Sequence, residues 1–359
     1  MRRILFPLRR GIPRLMSQVV ECANFVVVTP IVSASKPYRS SNCWKAKTVL
    51  FDEAAAMHRA DGLLVYGNSI RPAVVFGNEK QLPSAPMPMG ARRDDENAVN
   101  RFGQDAKTSS LSMFDTALAV TYSHLKDHFS YGPSCELSTL SYANAIRTFI
   151  NGEHNLGLPP TTMSPVFVDC VECPSRKDPV SKSRYNPRAT VCMIQWLEEF
   201  SNAVNFPPDK IVVITPYRAH MLSIKNKLET NSLFSKVQTA TIESYQGREN
   251  EMVFRSLTVD RDTGPCFVAQ PQRLNVATGR HKLFMVVFGD VQTSISQEPD
   301  KCIKAVTEEG TKMTIKPGMF HTFIEWFVKN NRAAKVEGDP TVDPDEEWGM
   351  AERGSENIL

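Results

Sequence analysis

The chain has 359 residues, with 42 lysines and arginines against 39 aspartates and glutamates, and a formal net charge of +3. This near balance excludes a generic polycation, so any contact with nucleic acid has to come from local basic patches. At about 150 residues per domain, the length predicts two domains. No apolar run reaches about 18 residues, so no membrane span is expected.

The eight cysteines are irregularly spaced along the chain. In a chain of this length, that spacing predicts reduced thiols in an intracellular protein, nuclear or cytoplasmic, rather than a disulfide framework. Cys170 and Cys173 form one CxxC pair, but no second pair stands at zinc-finger spacing, so no metal site is predicted there.

Residues 1–23 form a basic N-terminal segment, whose first twenty residues contain five arginines and no acidic residue. This composition fits a mitochondrial transit peptide, although Pro7 and Pro13 predict an interrupted helix. The alternative is a basic approach to the first strand.

Two apolar runs in the first half predict strands, residues 24–34 and Lys47–Phe51, and the second ends in Asp52 and Glu53. An acidic pair at the carboxyl end of an apolar strand is the Walker B arrangement. There the first carboxylate holds magnesium and the second orients or deprotonates the attacking water. A third strand, Ala73–Phe76, precedes the polar string GNEKQLP at residues 77–83. Residues 111–129 are predicted to be helical.

In the second half, short apolar runs alternate with polar strings. Val166–Asp169 predicts a short apolar strand. Ile211–Ile214 and Leu283–Phe288 predict strands buried on both faces, which is typical of a parallel sheet covered by helices. The strings are TPYRAH at 215–220, TIESYQGRE at 241–249 and QRLNVATGRHK at 272–282. In such sheets the ligand site lies at the carboxyl ends of the strands, so these strings are candidates for the functional site.

Taken in order, these strings resemble motifs II to VI of superfamily 1 helicases, in the up-frameshift and senataxin-like branch. The family's later strings read approximately GDxxQLP, TPYxxQ, S/TxDSFQGxE and RRLNVALTRAK. The resemblance covers residues 24–288. It implies an α/β fold of two RecA-like parallel-sheet lobes (the P-loop NTPase fold), the first of them incomplete. The predicted division is a partial first lobe at 24–130, a linker at 131–160, a second lobe at 161–292, and a C-terminal helix with an acidic tail at 293–359.

The resemblance also implies roles for individual residues in binding ATP and Mg²⁺. Asp52 would hold Mg²⁺, Glu53 would activate water and Gln81 would sense the terminal phosphate. From the second lobe, Glu249 would bind the ribose beside the tight turn at Gly247, and Arg280 would act as an arginine finger across a cleft from Asp52.

Contacts with the base and with nucleic acid are implied in the same way. Tyr122 would stack on the nucleotide base; alternatively, it packs on a helix face. Single-stranded RNA or DNA would be contacted by four residues, of which three stand at the start of a helix where backbone N–H groups favour a phosphate: Thr215, Tyr217, Arg218 and Ser244. Among the chain's departures from the family pattern are Asn78 for Asp, Ser123 for Arg, His220 for Gln and Gly279 for Thr.

The loop GxxxxGK[ST], whose N–H groups cradle phosphates, does not occur in the sequence. The sequence is expected to begin downstream of the family's motifs I and Ia, which makes ATP hydrolysis by this chain alone doubtful. Two hypotheses follow. One is a helicase that translocates on RNA or DNA in a longer form. The other is a non-catalytic module that binds nucleic acid or protein partners.

Overall fold

The computed structural model describes residues 2–66, 71–84, 108–117, 123, 125, 127–130, 147–150, 165–295, 300–306 and 312–342. The chain divides into two compact units, Met1–His124 and Leu125–Leu359. None of the described helices is long and apolar enough to cross a membrane.

The first unit begins with the helix α1 (Arg2–Cys22), which is continuous. The expected interruption at Pro7 and Pro13 was therefore wrong, because a proline inside a helix can bend it without ending it. The predicted strand at residues 24–34 was also wrong. This stretch pairs with no strand in the described part of the chain, and Pro30, which suits a first helical position, starts the short helix α2 (Pro30–Ser33).

The remaining elements of the first unit are short. They are α3 (Tyr38–Ser40), a π-helical turn at Ser41–Lys45, β1 (Val49–Phe51), α4 (Arg59–Tyr66), β2 (Ala73–Val75) and α5 (Ser110–Ala117). Strands β1 and β2 pair in parallel, with Val49 opposite Ala73 and Phe51 opposite Val75. One face of this pair packs on α4 and α5 through a small apolar cluster around Phe51.

Six parallel strands form the sheet of the second unit, in the order β14-β5-β11-β10-β8-β9. Their bounds are β5 (Val166–Val171), β8 (Ile211–Thr215), β9 (Gln238–Thr241), β10 (Asn250–Ser256), β11 (His281–Gly289) and β14 (Ala333–Glu337). The predicted parallel sheet is confirmed. All five side chains of β8 are buried, as a continuous apolar run requires when both faces of a sheet are covered.

Helices cover this sheet on both faces. One face packs on α6 (Pro187–Val204) and α7 (Arg218–Glu229). The other packs on α8 (Pro271–Thr278) and α10 (Gly318–Lys329). Two apolar cores result, one on each side of β10 and β11, and this is the arrangement of a RecA-like α/β lobe.

Smaller elements complete the second unit. They are β3 (Asp127–Ser130) paired with β4 (Arg147–Ile150), β6 (Arg176–Lys177) paired with β7 (Arg184–Tyr185), α9 (Gln292–Ile295), and the hairpin β12 (Ile303–Val306) with β13 (Lys312–Ile315). Residues 127–129 were predicted to be helical, and that prediction was wrong.

The C-terminal region also differs from its prediction. The helix expected to extend to Lys335 ends at Lys329, and the chain then forms β14, which adds a parallel edge strand next to β5. Glu337, predicted to begin a disordered tail, is the last residue of β14. Residues 343–347 of that predicted tail lie outside the described residues.

Candidate functional site

The acidic pair lies at the carboxyl end of β1, as predicted from the sequence. Asp52 is exposed, and its carboxylate accepts the N–H of Glu53 at 3.0 Å. Glu53 adopts a left-handed backbone conformation with φ 51°. The chain then returns to the sheet, where Ala54 donates its N–H to the carbonyl of Phe76 at 2.8 Å. This sharp turn separates the two carboxylates from the apolar strand before them.

The GNEKQLP string follows β2 and packs directly against this turn. A Cβ atom added at Gly77 would lie 2.8 Å from the backbone nitrogen of Ala55, so a side chain there would force the two strings apart. Asn78 accepts the N–H of Lys80 at 3.0 Å, which is the turn-stabilising bond an Asp would also make. The Oε1 atom of Gln81 is buried without a hydrogen-bond partner within the described residues.

At the carboxyl end of β8, two of the predicted nucleic-acid contacts are buried instead. The hydroxyl of Thr215 is bonded to that of Thr258 at 2.8 Å. The ring of Tyr217 packs against Phe267 with a centroid distance of 4.7 Å. Their side chains hold the loop after β8 in place, so a direct side-chain contact with nucleic acid is not available in this conformation.

The other two predicted contacts, Arg218 and Ser244, are exposed. Ala219, in the first turn of α7, donates its N–H to the hydroxyl oxygen of Ser183 at 2.9 Å, so this donor is already satisfied by the protein. Ser244 accepts the N–H of Thr241 at 3.0 Å, which fixes the turn that follows β9. Arg218 is thus the exposed cation that α7 presents at its N-terminus.

His220 stands where the family has Gln, and it is completely buried. Its Nδ1 accepts the N–H of Asn186 at 3.3 Å, and its Nε2 lies 2.8 Å from the hydroxyl of Ser256. Burial lowers the pKa of His220 to about 3, so the ring is neutral at physiological pH. This histidine connects α7 to β10 and to the start of α6.

Arg280 lies in the turn between α8 and β11, where the sequence placed it. Its Nε donates to the carbonyl of Val276 at 2.9 Å, and its Nη1 donates to the carbonyl of Arg248 at 3.2 Å. The side chain is mostly buried, with 8% of its surface exposed. Asn250 donates its N–H to the carbonyl of Arg280 at 3.0 Å, so the TIESYQGRE and QRLNVATGRHK strings meet here.

The meeting point of these two strings corrects one expectation, which placed all three strings at the carboxyl ends of the strands. Arg280 precedes β11, and Gly247 and Glu249 precede β10, so all three lie at the amino ends of their strands. Gly247 has φ 73°, which explains the need for glycine, and Glu249 is exposed. Thr215, Tyr217 and Arg218 follow the carboxyl end of β8. The TIESYQGRE string therefore runs from one edge of the sheet to the other.

Sequence reasoning missed the contact that holds this string at its middle. The guanidinium of Arg273 on α8 donates from Nε to Glu243 at 2.7 Å and lies 4.6 Å from the centroid of the Phe267 ring. The string is also tied at its start, where Ile242 donates its N–H to the carbonyl of Thr215 at 3.1 Å. The sequence shows the opposite charges of Arg273 and Glu243 in neighbouring strings. It does not show the strand order that brings these two side chains together.

Tyr122 lies outside the described residues. Asp52, Glu53 and Gln81 belong to the first unit, and Gly247, Glu249 and Arg280 belong to the second. The pairing of Asp52 with Arg280 therefore stays a prediction. Among the described residues, no group of three or more His, Cys, Asp or Glu side chains has the arrangement of a metal site. A magnesium ion held through a nucleotide needs only one or two carboxylates, which is what Asp52 offers.

Comparison with known proteins identifies the type of domain. Residues 133–292 match a family model described as "AAA domain". The chain is 24% identical over 289 residues to the regulator of nonsense transcripts 1 homolog of Arabidopsis thaliana, which covers 79% of this chain and 22% of that protein. It is 30% identical over 149 residues to an uncharacterized ATP-dependent helicase of Methanocaldococcus jannaschii, covering 40% and 21%.

A third relative, the ATP-dependent helicase upf1 of Schizosaccharomyces pombe, is 32% identical over 92 residues, covering 24% of this chain and 10% of that protein. Among solved structures, "The structure of PRRSV helicase" aligns with 84% of this chain and 49% of its own, at 14% identity and a TM-score of 0.32. The chain spans at most 22% of the length of these three relatives.

The parallel α/β lobe, in which hydrogen bonds join three helicase-like strings, has the architecture of a RecA-like domain. Together with these relatives, it shows that the chain contains a domain related to superfamily 1 helicases of the up-frameshift-like branch.

Proposed function

We propose that the second unit binds single-stranded RNA or DNA at the carboxyl edge of its sheet, next to Arg218, and supplies Glu249 and Arg280 to a nucleotide site. The observation that supports this proposal most strongly is the continuous path of contacts through the TIESYQGRE string. It is bonded to Thr215 at its start, to Arg273 in its middle and to Arg280 at its end.

This path gives a physical route between nucleic acid and nucleotide. A phosphate drawn to Arg218 lies beside the loop after β8, and Ile242 is hydrogen-bonded to Thr215 in that loop. Eight residues further along, Asn250 is hydrogen-bonded to Arg280. A shift of the string at one edge of the sheet would move the carbonyl of Arg248 at the other edge. That carbonyl accepts a hydrogen bond from the guanidinium of Arg280. This is a chain of direct contacts, as coupling between two sites requires.

The residues fit Mg²⁺ and ATP only in part. Asp52 is an exposed carboxylate at a strand end and suits a magnesium ion that keeps most of its water. Bound magnesium would supply charge neutralisation to a phosphoryl group. The sequence contains no GxxxxGK[ST] loop to cradle the phosphates. We therefore derive no hydrolysis step for this chain and assign Glu53 and Gln81 roles only in a protein that supplies the loop.

The test is equilibrium binding of a fluorescently labelled single-stranded oligonucleotide to the purified chain, followed by anisotropy, with duplex of the same sequence as competitor. We expect binding that single strand displaces better than duplex does. We also expect ATP turnover at the level of a buffer blank. Absence of any binding at low salt would refute the proposal.

A second candidate is a module without catalysis, which binds nucleic acid or protein partners. The observation that favours it is the state of Arg280, whose Nε and Nη1 both donate to carbonyls of the same unit. The variant Arg280→Ala distinguishes this module from a helicase that hydrolyses ATP. In an extended chain that carries a phosphate-cradling loop, we expect Arg280→Ala to abolish ATP turnover without unfolding the protein, whereas unchanged turnover would favour the module.

A further inference from the structure

Three cysteines of the second unit meet at one place, and the functional site does not use them. Cys170 is near the end of β5, Cys173 is in the loop that follows, and Cys192 is on α6. All three are free and buried. All three side chains belong to one buried core cluster, and the thiols lie close enough to shift one another's pKa. We call these residues the thiol cluster.

A short segment, which we call the strap (residues 337–342), covers the thiol cluster. Cys192 donates its thiol proton to the carbonyl of Glu337 at 3.8 Å. A Cβ atom added at Gly338 would lie 2.7 Å from the sulfur of Cys173, so Gly338 is in direct contact with this thiol. By contrast, the contact of Cys170 with the carbonyl of Val168 is fully buried. Cys173 and Cys192 are thus the two thiols directly under the strap.

The strap is attached by few bonds. Gly338 donates its N–H to the carbonyl of Val171 at 2.8 Å. Arg188 donates from Nε to the carbonyl of Val342 at 3.0 Å and from Nη2 to that of Pro340 at 3.4 Å. Pro340 and Thr341 are exposed. A segment held by so few exposed hydrogen bonds opens more readily than the sheet beneath it.

We propose that Cys192 and Cys173 form a redox modification site, in which a peroxide admitted by opening of the strap oxidises the pair to a disulfide. The thiolate of Cys192 attacks one peroxide oxygen, the O–O bond breaks, and a sulfenic acid and, after proton transfer, water result. The thiol of Cys173 then attacks that sulfur, the S–O bond breaks, and the thiol proton leaves with the hydroxyl as a second water. Two thiols and one peroxide thus become one disulfide and two waters.

The surroundings of Cys192 favour its role as the attacking sulfur. The neighbouring thiols of Cys170 and Cys173 lower the pKa of Cys192. A thiolate is the reactive form toward peroxide, so the first oxidation falls on Cys192 and Cys173 resolves it.

The disulfide would join the loop after β5 to α6. The carbonyl of Cys173 accepts the side-chain N–H of Asn186 at 2.7 Å, and Asn186 is the N-cap of α6. Oxidation therefore fixes the N-terminal end of α6 to the sheet, next to the histidine that contacts Asn186. This site is independent of nucleic-acid binding, so failure of either proposal leaves the other standing.

The test treats the full chain with hydrogen peroxide, blocks remaining thiols, and identifies cross-linked peptides by mass spectrometry without reduction. We expect a Cys173–Cys192 cross-link, its loss in Cys192→Ser, and its retention in the matched control Cys266→Ser, whose thiol lies outside the cluster. Oxidation of the exposed Cys22 and Cys302 without this cross-link would overturn the proposal. A Cys170–Cys173 cross-link that persists in Cys192→Ser would overturn the assignment of the pair.

A second variant tests the route of access. Arg188→Ala removes the bonds to Pro340 and Val342, so the strap opens more often. We expect the cross-linking rate to rise about tenfold, since two hydrogen bonds of ordinary strength are lost. Thermal unfolding checks that each variant is folded. An unchanged rate in folded Arg188→Ala would overturn opening of the strap as the way in.

Discussion

The two units of the chain bury their apolar strands very differently. In the second unit, six parallel strands lie between two layers of helices, and central side chains such as Val213 and Phe254 are almost completely buried. Among the described residues of the first unit, two strands pair, and one face leaves Leu50, Val74 and Phe76 between 45% and 69% exposed. Isolated two-stranded sheets are marginally stable, so the second unit supplies the stability of the molecule.

The largest expected effect comes from the core of the second unit. Phe254 is fully buried on β10 and packs at ring-centroid distances of 5.4 Å from Trp196 and 5.6 Å from Phe288. We expect Phe254→Ala to lower the free energy of unfolding by about 3–5 kcal/mol, as aromatic-to-alanine changes in cores do. Urea denaturation followed by circular dichroism measures it.

The matched control is Phe51→Ala in the first unit. Phe51 is also buried, but its cluster is small. We expect the main unfolding transition to stay in place in this variant. Equal losses in the two variants would contradict the view that the second unit supplies most of the stability.

A stabilising change is expected within the same sheet. Arg255 is fully buried on β10, its guanidinium nitrogens have no hydrogen-bond partners in the described part of the chain, and its Cζ lies 5.1 Å from the centroid of the Phe323 ring. Burial lowers the pKa of Arg255 to about 9. Because an unpaired buried charge is costly, we expect Arg255→Leu to raise the free energy of unfolding by about 1–4 kcal/mol.

Arg255→Lys is the control for this prediction, because it keeps a buried charge and should gain nothing. Thermal unfolding of both variants gives the comparison. A lower melting temperature for Arg255→Leu would show that the guanidinium has a favourable role in the native state.

The dependence of stability on pH tests His220. Its pKa is about 3 in the folded state, against about 6.5 for an exposed histidine. The unfolded chain therefore binds a proton that the folded chain does not, so stability is complete above about pH 6.5 and falls as the pH drops toward 3. At pH 5 the loss from this residue is about 2 kcal/mol.

His220→Gln should remove this part of the pH dependence, since glutamine can hydrogen-bond but does not titrate. Urea titrations at pH 7, 6 and 5 measure it. Identical pH profiles for the two proteins would contradict the neutral, buried state of His220.

The smallest effect is expected at the contact between the two strings. Arg273 and Glu243 form a partly exposed ion pair with a Nε–Oε1 distance of 2.7 Å. A double-mutant cycle with Arg273→Ala and Glu243→Ala should give a coupling energy below about 1 kcal/mol. A coupling energy near zero, with nucleic-acid binding unchanged, would remove this pair from the proposed path.

Local patterns were sufficient where a strand or motif is self-contained. Runs such as Ile211–Ile214 predicted a doubly covered parallel sheet, and the acidic pair was placed correctly at the end of β1. Residues 24–34 failed as a strand because an apolar run forms a strand only when a neighbour pairs with it. β14 was missed for the opposite reason, since its exposed side chains have no apolar pattern and only pairing with β5 makes it a strand.

The candidate site was predictable as a set of strings but not as an arrangement. Composition could not show that Tyr217 packs on Phe267 or that the hydroxyl of Thr215 bonds to Thr258. Nor could it show that Arg280 and Thr215 lie at opposite edges of one sheet. These facts depend on the order of strands, which local sequence does not encode.

The salt dependence of single-strand binding tests the central claim most directly. Arg218 is exposed at the start of α7, and the control residue Lys225, on the same helix, forms an ion pair with Glu229 at 3.7 Å. In a plot of log affinity against log salt for a labelled oligonucleotide, we expect Arg218→Ala to weaken binding and to reduce the slope by about 0.7, the value for one phosphate contact on a single strand. Lys225→Ala should match the unmodified chain. Equal slopes for all three proteins, or no binding at low salt, would contradict the account.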